Sequence, residues 1–419
     1  MTKLLQLIFI IALYFPITLQ ASDGSLSADG HIYADSTFPT ESALPIDWGH
    51  LSLFGQLVHS DQLSRAPGSN SEKLSDASLD ILYTGGSSRF PMLAEYFYDS
   101  EDHDKRLLNR LQFGWRPSEN TTLWVGKFNN PNLYWHDRYH DGLYFSPSVM
   151  APLQSAVFFD GGVTAPQISG LRLDHAIQYK QSEWRFNFVA ANGPEVLLNK
   201  QSDVKVEDFF KDFSNDQRLY IAGLSFLPDA LGETEVGVRY SKVNAPWRAF
   251  DFTGFEFNLD ETVFNVYANL EVDSWRFLLS YSKFKQEINV PEGFAAFTAN
   301  LDPSNPINAS FLLAANLGVQ VLDGGLNLRY LHVEYQFNEH WLAYVREEQF
   351  EVDAPTEAKL ALAQFGVDCE YDKHIAGVRY DFRESHALSL QYSNYRSSIS
   401  GQEQSTLHLV WSFALEVGE

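Results

Sequence analysis

Trp184-Arg185-Phe186-Asn187-Phe188 alternates large apolar and polar side chains without a slip. Successive side chains of an extended chain point to opposite faces, so this segment presents one greasy and one wet surface. The same period of two recurs at Leu111, Phe113 and Trp115, at Val236, Val238 and Tyr240, and at Trp275, Phe277, Leu279 and Tyr281. Further on it runs through Ala376, Val378, Tyr380 and Phe382, through Leu388, Leu390 and Tyr392, and through Leu407, Leu409, Trp411 and Phe413. Any one of these segments would also suit a half-buried strand of a soluble sandwich.

The connections separate the two cases. Short turns at 86–89, 117–120, 181–182, 227–232, 271–273, 338–339 and 384–386 alternate with longer polar stretches. Those stretches span 60–76, 129–167, 193–215, 244–260, 286–324, 352–369 and 397–403, with a brief one at 100–105. Tight turns at one end and long loops at the other are the signature of a transmembrane antiparallel up-and-down β-barrel. The strands expected are 49–59, 77–86, 90–99, 106–116, 121–128, 168–180, 183–192 and 216–226. The others are 233–243, 261–270, 274–285, 325–337, 340–351, 370–383, 387–396 and 404–414. That makes about sixteen, an even number that puts both ends on the short-turn side. In 216–226, 325–337 and 340–351 either face could be the apolar one, and 156–163 could add a strand, so fourteen or eighteen stay open.

Composition agrees with this all-β reading. Aromatic residues make up 15% of the chain, yet mean hydropathy is only −0.23, as expected when apolar side chains are evenly diluted by polar ones. The longest apolar stretch beyond the N-terminus, Phe311 to Leu322, is interrupted by Asn316, Gly318 and Gln320, so a membrane would have to be crossed by strands. Cys369 is the single cysteine, which leaves no disulfide within the chain. At the N-terminus, Lys3 precedes an apolar run from Leu4 to Leu19 that ends at Ala21, the pattern of a secretory signal peptide over 1–21. Residues 22–48 read as a polar periplasmic leader, 49–414 as the barrel and 415–419 as a tail. The formal net charge of −24 becomes −25 without Lys3, and such an acid excess argues against nucleic acid as a partner.

Taken together, the pattern resembles the Gram-negative outer-membrane porin superfamily over nearly all of the mature part. The stretch 129–167 lies between the fifth and sixth strands, where general porins carry a constriction loop folded into the barrel. Gly126-Lys127-Phe128, Pro131, Tyr134, Asp137, Asp141, Phe145-Ser146-Pro147-Ser148 and Pro152 are similar to a porin-like family of marine Gram-negative bacteria. The resemblance implies an outer-membrane location, lipid contacts, passive diffusion of small hydrophilic solutes or ions, and a homotrimer. It implies no cofactor and no catalysis. One departure is that alternation ends at Phe413 with six residues following, where porins usually finish on an aromatic residue.

With the aromatic positions turned to lipid, the positions between them face the lumen. These include Arg110, Arg116, Arg172, Lys180, Arg185, Arg239, Arg276, Arg379 and Arg383. An arginine on the lipid face at mid-depth costs about 2–4 kcal/mol, which favours this parity over its opposite. Two arrangements follow. The guanidinium groups could form a basic ladder facing loop carboxylates Asp137, Asp141 and Asp160, or pair with inward acids such as Glu95, Asp174, Glu235 and Asp381.

His136 and His140 have a spacing that would chelate a metal on a helix, although Pro131 and Gly142 favour a loop there. Tyr134, Trp135, Tyr139 and Tyr144 could stack on sugars or pack the loop against the wall. The chain has no Gly-x-Ser-x-Gly elbow, no His-Glu-x-x-His and no phosphate-binding glycine loop. The alternatives to a channel are an outer-membrane barrel enzyme of lipase or protease type, and a structural barrel plugged by its loops.

Overall fold

The computed structural model describes residues 47–64, 74–99, 107–139, 148–149, 152, 167–192, 196–197, 200–201, 218–229, 232–248, 257–289, 321–353, 370–383, 385–399, 401 and 403–417. All of them fall in the unit Tyr33–Glu419. The expected signal segment 1–21, most of the leader 22–48 and the optional strand 156–163 lie outside the described residues.

Sixteen strands form one closed antiparallel sheet. They are β1 (Asp47–Ser64), β2 (Leu74–Gly86), β3 (Pro91–Asp99), β4 (Leu107–Ser118), β5 (Thr121–Asn129), β6 (Gln167–Tyr179), β7 (Ser182–Asn192) and β8 (Arg218–Leu227). Then follow β9 (Glu235–Arg248), β10 (Phe257–Val272), β11 (Trp275–Asn289), β12 (Val321–Gln336), β13 (Trp341–Asp353), β14 (Glu370–Arg383), β15 (His386–Ser397) and β16 (Glu403–Val417). Each strand pairs with its neighbours in sequence, and β1 pairs with both β2 and β16. Closure leaves the barrel no free edge, which satisfies the backbone without water. Two short pieces, Val196–Leu197 and Lys200–Gln201, form a ribbon beside Trp247 at the long-loop end.

All sixteen expected strands are present, extended by a few residues where the register continues. One extension lies at the C-terminus. β16 runs to Val417, opposite Leu51, so 415–417 belong to the wall and not to a tail. The alternation itself continues there: Leu415 is exposed on the outer face, and Ala414 packs inward against Phe54, Leu82 and Leu93. Lys180 also differs from expectation. It occupies a two-residue turn with φ of 57°, exposed and over the Tyr179 ring, and is not in the lumen.

Burial alternates along every strand. Phe113, Leu171, Phe188, Val266, Val345 and Leu409 are exposed on the outer face, a continuous apolar surface that water would not tolerate. At the short-turn end this surface finishes in aromatic contacts. Trp184 meets Phe226 at 4.7 Å, Trp275 meets Tyr335 at 4.6 Å, and Trp341 meets Tyr380 at 4.6 Å. Such a belt with an aromatic girdle is what a bilayer selects.

The seam between β1 and β16 depends on one glycine. Gly55 lies opposite Phe413, and a β-carbon there would sit 2.3 Å from the phenyl ring. Gly55→Val therefore displaces Phe413 and is expected to cost about 1–3 kcal/mol, as overpacking does. A lowered urea midpoint for the barrel in lipid vesicles checks this; an unchanged midpoint contradicts it.

Candidate functional site: a charged lumen crossed by a loop

The parity left open in three strands is settled by what lies inside them. On β8, Leu219 and Ile221 point inward and join Phe128, Ile168, Val189, Ala191 and Val243 in one cluster. On β12, Leu328 and Tyr330 point inward, while Arg329 and Leu331 point out. On β13, Tyr344, Arg346 and Glu348 are buried inward, and Val345 is exposed outward. These strands carry apolar as well as charged residues on the inner face, because part of that face is packed and not wet. The segment after β5 covers part of it.

That segment leaves the wall at Asn129 and turns inward through Asn130 to Leu133, all buried. The Asn130 side chain accepts a bond from the Asn132 amide, and Asn132 Nδ2 donates to Ser241 of β9 at 2.8 Å. A short helix follows, α1 (Tyr134–Tyr139). Leu133 packs on Val263, Phe284 and Leu328, and Tyr134 and Trp135 pack on Tyr267, Leu278 and Tyr330. Tyr134 stacks on Tyr267 at 4.6 Å. Tyr267 itself lies flat across Gly237, where a β-carbon would fall 2.4 Å from its ring. Trp135 meets the edges of Tyr330 and His332, and the Arg346 guanidinium lies 5.2 Å from its ring. Of the two roles open to Tyr134 and Trp135, packing against the wall is the one seen, for both are nearly inaccessible.

Further along, Ser148 accepts a bond from Arg346, and the Val149 amide donates to Gln391 of β15 at 3.1 Å. Described parts of the segment thus touch the inner wall from β9 round to β15. Asp141, Asp160, His140 and Tyr144 lie outside the described residues, as do the side chains of His136 and Tyr139. Among the described residues no group of three or more metal-ligating side chains occurs.

The inward arginines are paired in two ways. Within the wall, Arg110 donates to Glu95 at 2.7 Å, Arg172 to Asp174 at 2.9 Å and Arg379 to Asp381 at 2.9 Å. Arg185 pairs with Glu183, and Arg276 pairs with Glu233 at 2.8 Å and Glu271 at 3.5 Å. Between wall and loop, Asp137 takes Arg239 at 2.8 Å and Arg172 at 3.6 Å. Arg239 also donates to the Pro131 carbonyl. Glu235 is bound by Arg138 of α1 at 3.0 Å, a loop cation that the sequence reading did not single out. Arg116 points inward and donates weakly to Thr122 at 3.4 Å, and the side chain of Arg383 is not described.

Two further ionisable residues point inward on strands whose parity the sequence leaves open. Arg346 is wholly buried and donates to Glu348 at 2.6 Å, and His332, also inaccessible, contacts Glu334 at 2.8 Å. A signal for the first was available. Arg-x-Asp or Arg-x-Glu places both charges on one face of a strand, and it occurs at Arg172-x-Asp174, Arg346-x-Glu348 and Arg379-x-Asp381.

A closed barrel with an apolar outer belt, a charged inner face and a segment folded across its interior has the architecture of a transmembrane β-barrel. No protein-family profile and no curated protein matches the sequence. Solved structures do match. The outer membrane channel DcaP of Acinetobacter baumannii superposes with a TM-score of 0.54 at 9% identity, over 88% of this chain and 97% of that one. An anion-selective porin from Comamonas acidovorans gives 0.54 at 10%, over 88% and 100%. Salmonella typhi OmpF gives 0.50 at 11%, over 87% and 97%. The structural neighbours are thus Gram-negative outer-membrane porins, and at these identities the likeness is one of fold.

Proposed function

We propose that this chain is an outer-membrane porin, a water-filled channel through which small hydrophilic solutes or ions pass down their gradients. The observation that carries the reading is the loop crossing a closed sixteen-strand barrel, with Asp137 and Arg138 paired to charges on the facing wall. Passage needs water inside, and inward side chains such as Arg185, Glu233 and Asp381 keep about a fifth to a quarter of their surface exposed, at 21%, 20% and 26%. In this reading Arg110, Arg116, Arg172, Arg185, Arg239, Arg276 and Arg379 line the pore, with Asp137, Asp141 and Asp160 on the loop. The chain assembles as the homotrimer that the resemblance implies.

Most of these guanidinium groups have a carboxylate partner, so the inner field is a set of local dipoles more than one sheet of positive charge. Selectivity is then modest, because a passing ion feels both signs within a Debye length of about 8–10 Å. Purified protein in a planar bilayer is expected to give discrete conductance steps. Under a salt gradient the reversal potential should fall well short of the value for a perfectly selective pore. Absence of steps removes the channel reading, and a near-ideal reversal potential removes the charge-paired lumen. A barrel enzyme would instead need a nucleophile and base exposed together at a surface, and the polar groups gathered here are arginine–carboxylate pairs.

A further inference from the structure

One stretch of the outer face carries a row of positive charge that the lumen does not explain. Arg218 on β8, Lys242 on β9, Lys283 on β11 and Arg329 on β12 are exposed and share the outward parity of the apolar belt. Each lies one outward-facing step nearer the long-loop end than an apolar residue of that belt. Arg218 lies beyond Tyr220, Lys242 beyond Tyr240, Lys283 beyond Tyr281 and Arg329 beyond Leu331. On the intervening β10 the same step runs from Phe264 to Thr262. The register joins these positions into one line. Tyr220 is opposite Lys242, Phe264 opposite Lys283, and Tyr281 opposite Arg329. A barrel strand leans about 35–45° from the membrane normal, so a line that drops two residues per one or two strands stays at nearly one depth. The depth is the rim of the hydrocarbon layer.

Three features set these cations apart. The inner arginines are ion-paired, but among the described residues no hydrogen bond or ion pair engages Arg218, Lys242, Lys283 or Arg329. Arg218, Tyr220, Lys242 and Asn244 line an open recess of about 460 Å³. The protein is acidic overall at −24, yet this sector is basic. Nearby acids are engaged or displaced to its edges. Asp260 accepts from Asn244 at 2.7 Å, Glu287 pairs with Lys285, and exposed Glu347 and Glu351 lie on β13.

We propose that this line is a binding site for a phosphorylated glycolipid of the outer leaflet. Its acyl chains would lie along Tyr220, Tyr240, Phe264, Tyr281 and Leu331, and its phosphates would meet the four cations. Cations that no hydrogen bond or ion pair engages among the described residues, directly above an apolar wall, fit an anionic headgroup joined to hydrocarbon, because both halves of such a ligand are matched at once. The inference rests on the outer-membrane location and not on solute passage, so a barrel that fails to conduct could still bind.

The test titrates the full-length barrel in neutral detergent with bisphosphorylated lipid A and with its phosphate-free analogue, following bound lipid by native mass spectrometry. Wild type should bind the phosphorylated form at least about tenfold more tightly. The variant Arg218→Gln/Lys242→Gln/Lys283→Gln/Arg329→Gln should lose that preference, and Arg396→Gln, an exposed cation on β15 away from the line, should keep it. Equal binding of the two lipids by wild type overturns the proposal, and this arm needs no variant to fold. So does full retention of the preference in the fourfold variant. Displacement of the lipid by millimolar inorganic phosphate would show that the headgroup chemistry alone suffices, and would overturn the lipid assignment.

Discussion

Replacing Arg346 by alanine is expected to destabilise the barrel by about 2–4 kcal/mol, the cost of removing a charged hydrogen-bond partner from buried Glu348 while Lys373 still faces it. Arg346 does three things at once. It neutralises Glu348, which is 1% exposed, it donates to Ser148 at 2.6 Å, and it lies against Trp135. The first is wall stability and the other two hold the loop. The variant should therefore unfold at lower urea in lipid vesicles, and its single-channel records should show added flicker as the loop loosens. Arg346→Lys separates the effects, because an ammonium keeps the charge but cannot bridge Glu348 and Ser148 in a planar fork. Its stability should be partly restored and the flicker retained. An alanine variant with the wild-type midpoint and quiet records would contradict this account.

Asp137→Asn should shift ion preference toward anions by about fourfold in the anion-to-cation permeability ratio. The side chain keeps its size, and α1 stays docked through Arg138–Glu235, Asn132–Ser241 and the aromatic stack. What changes is one negative charge between Arg239 and Arg172. A unit charge about 10 Å from a passing ion in water is worth about 0.4 kcal/mol, roughly a factor of two on each ion and with opposite signs. The measurement is the reversal potential in a salt gradient. An unchanged value would mean that permeating ions do not pass near Asp137, and that the pore lies elsewhere in the lumen.

Much of this fold is legible in the sequence because a membrane barrel writes two solvents onto one chain. Trp184-Arg185-Phe186-Asn187-Phe188 shows lipid and lumen in strict turn, and β7 forms there with all three aromatic rings exposed. Legibility fails where the lumen stops being wet. Leu219 faces inward in a cluster of wall residues, and Leu328, Tyr330 and Tyr344 face inward against the loop, so β8, β12 and β13 lose part of the contrast that parity depends on. Arg346 and His332 were hidden for the same reason.

The loop was found by its place in strand order, and Asp137 by its charge, but α1 was not expected. Six residues between Pro131 and Gly142 form a helix because packing on Tyr267, Leu278 and Tyr330 supplies what such a short segment lacks by itself. Arg138 was passed over because a loop cation in an acidic protein looks like surface charge. The wall brought up against it, with Glu235, gives it a carboxylate partner.

The pairing of β1 with β16 also has a consequence in time. Leu51 meets Val417, so the first and last strands share a seam that cannot exist until nearly the whole chain has been made. Until then two long strands keep unpaired edges, the condition under which chains join one another instead of themselves. Closing so long a loop adds little free energy, because the entropy of closure grows only with the logarithm of length, but it delays the rewarding contact to the end. A nascent chain of this kind must be kept apart from its siblings while it waits for its own last strand.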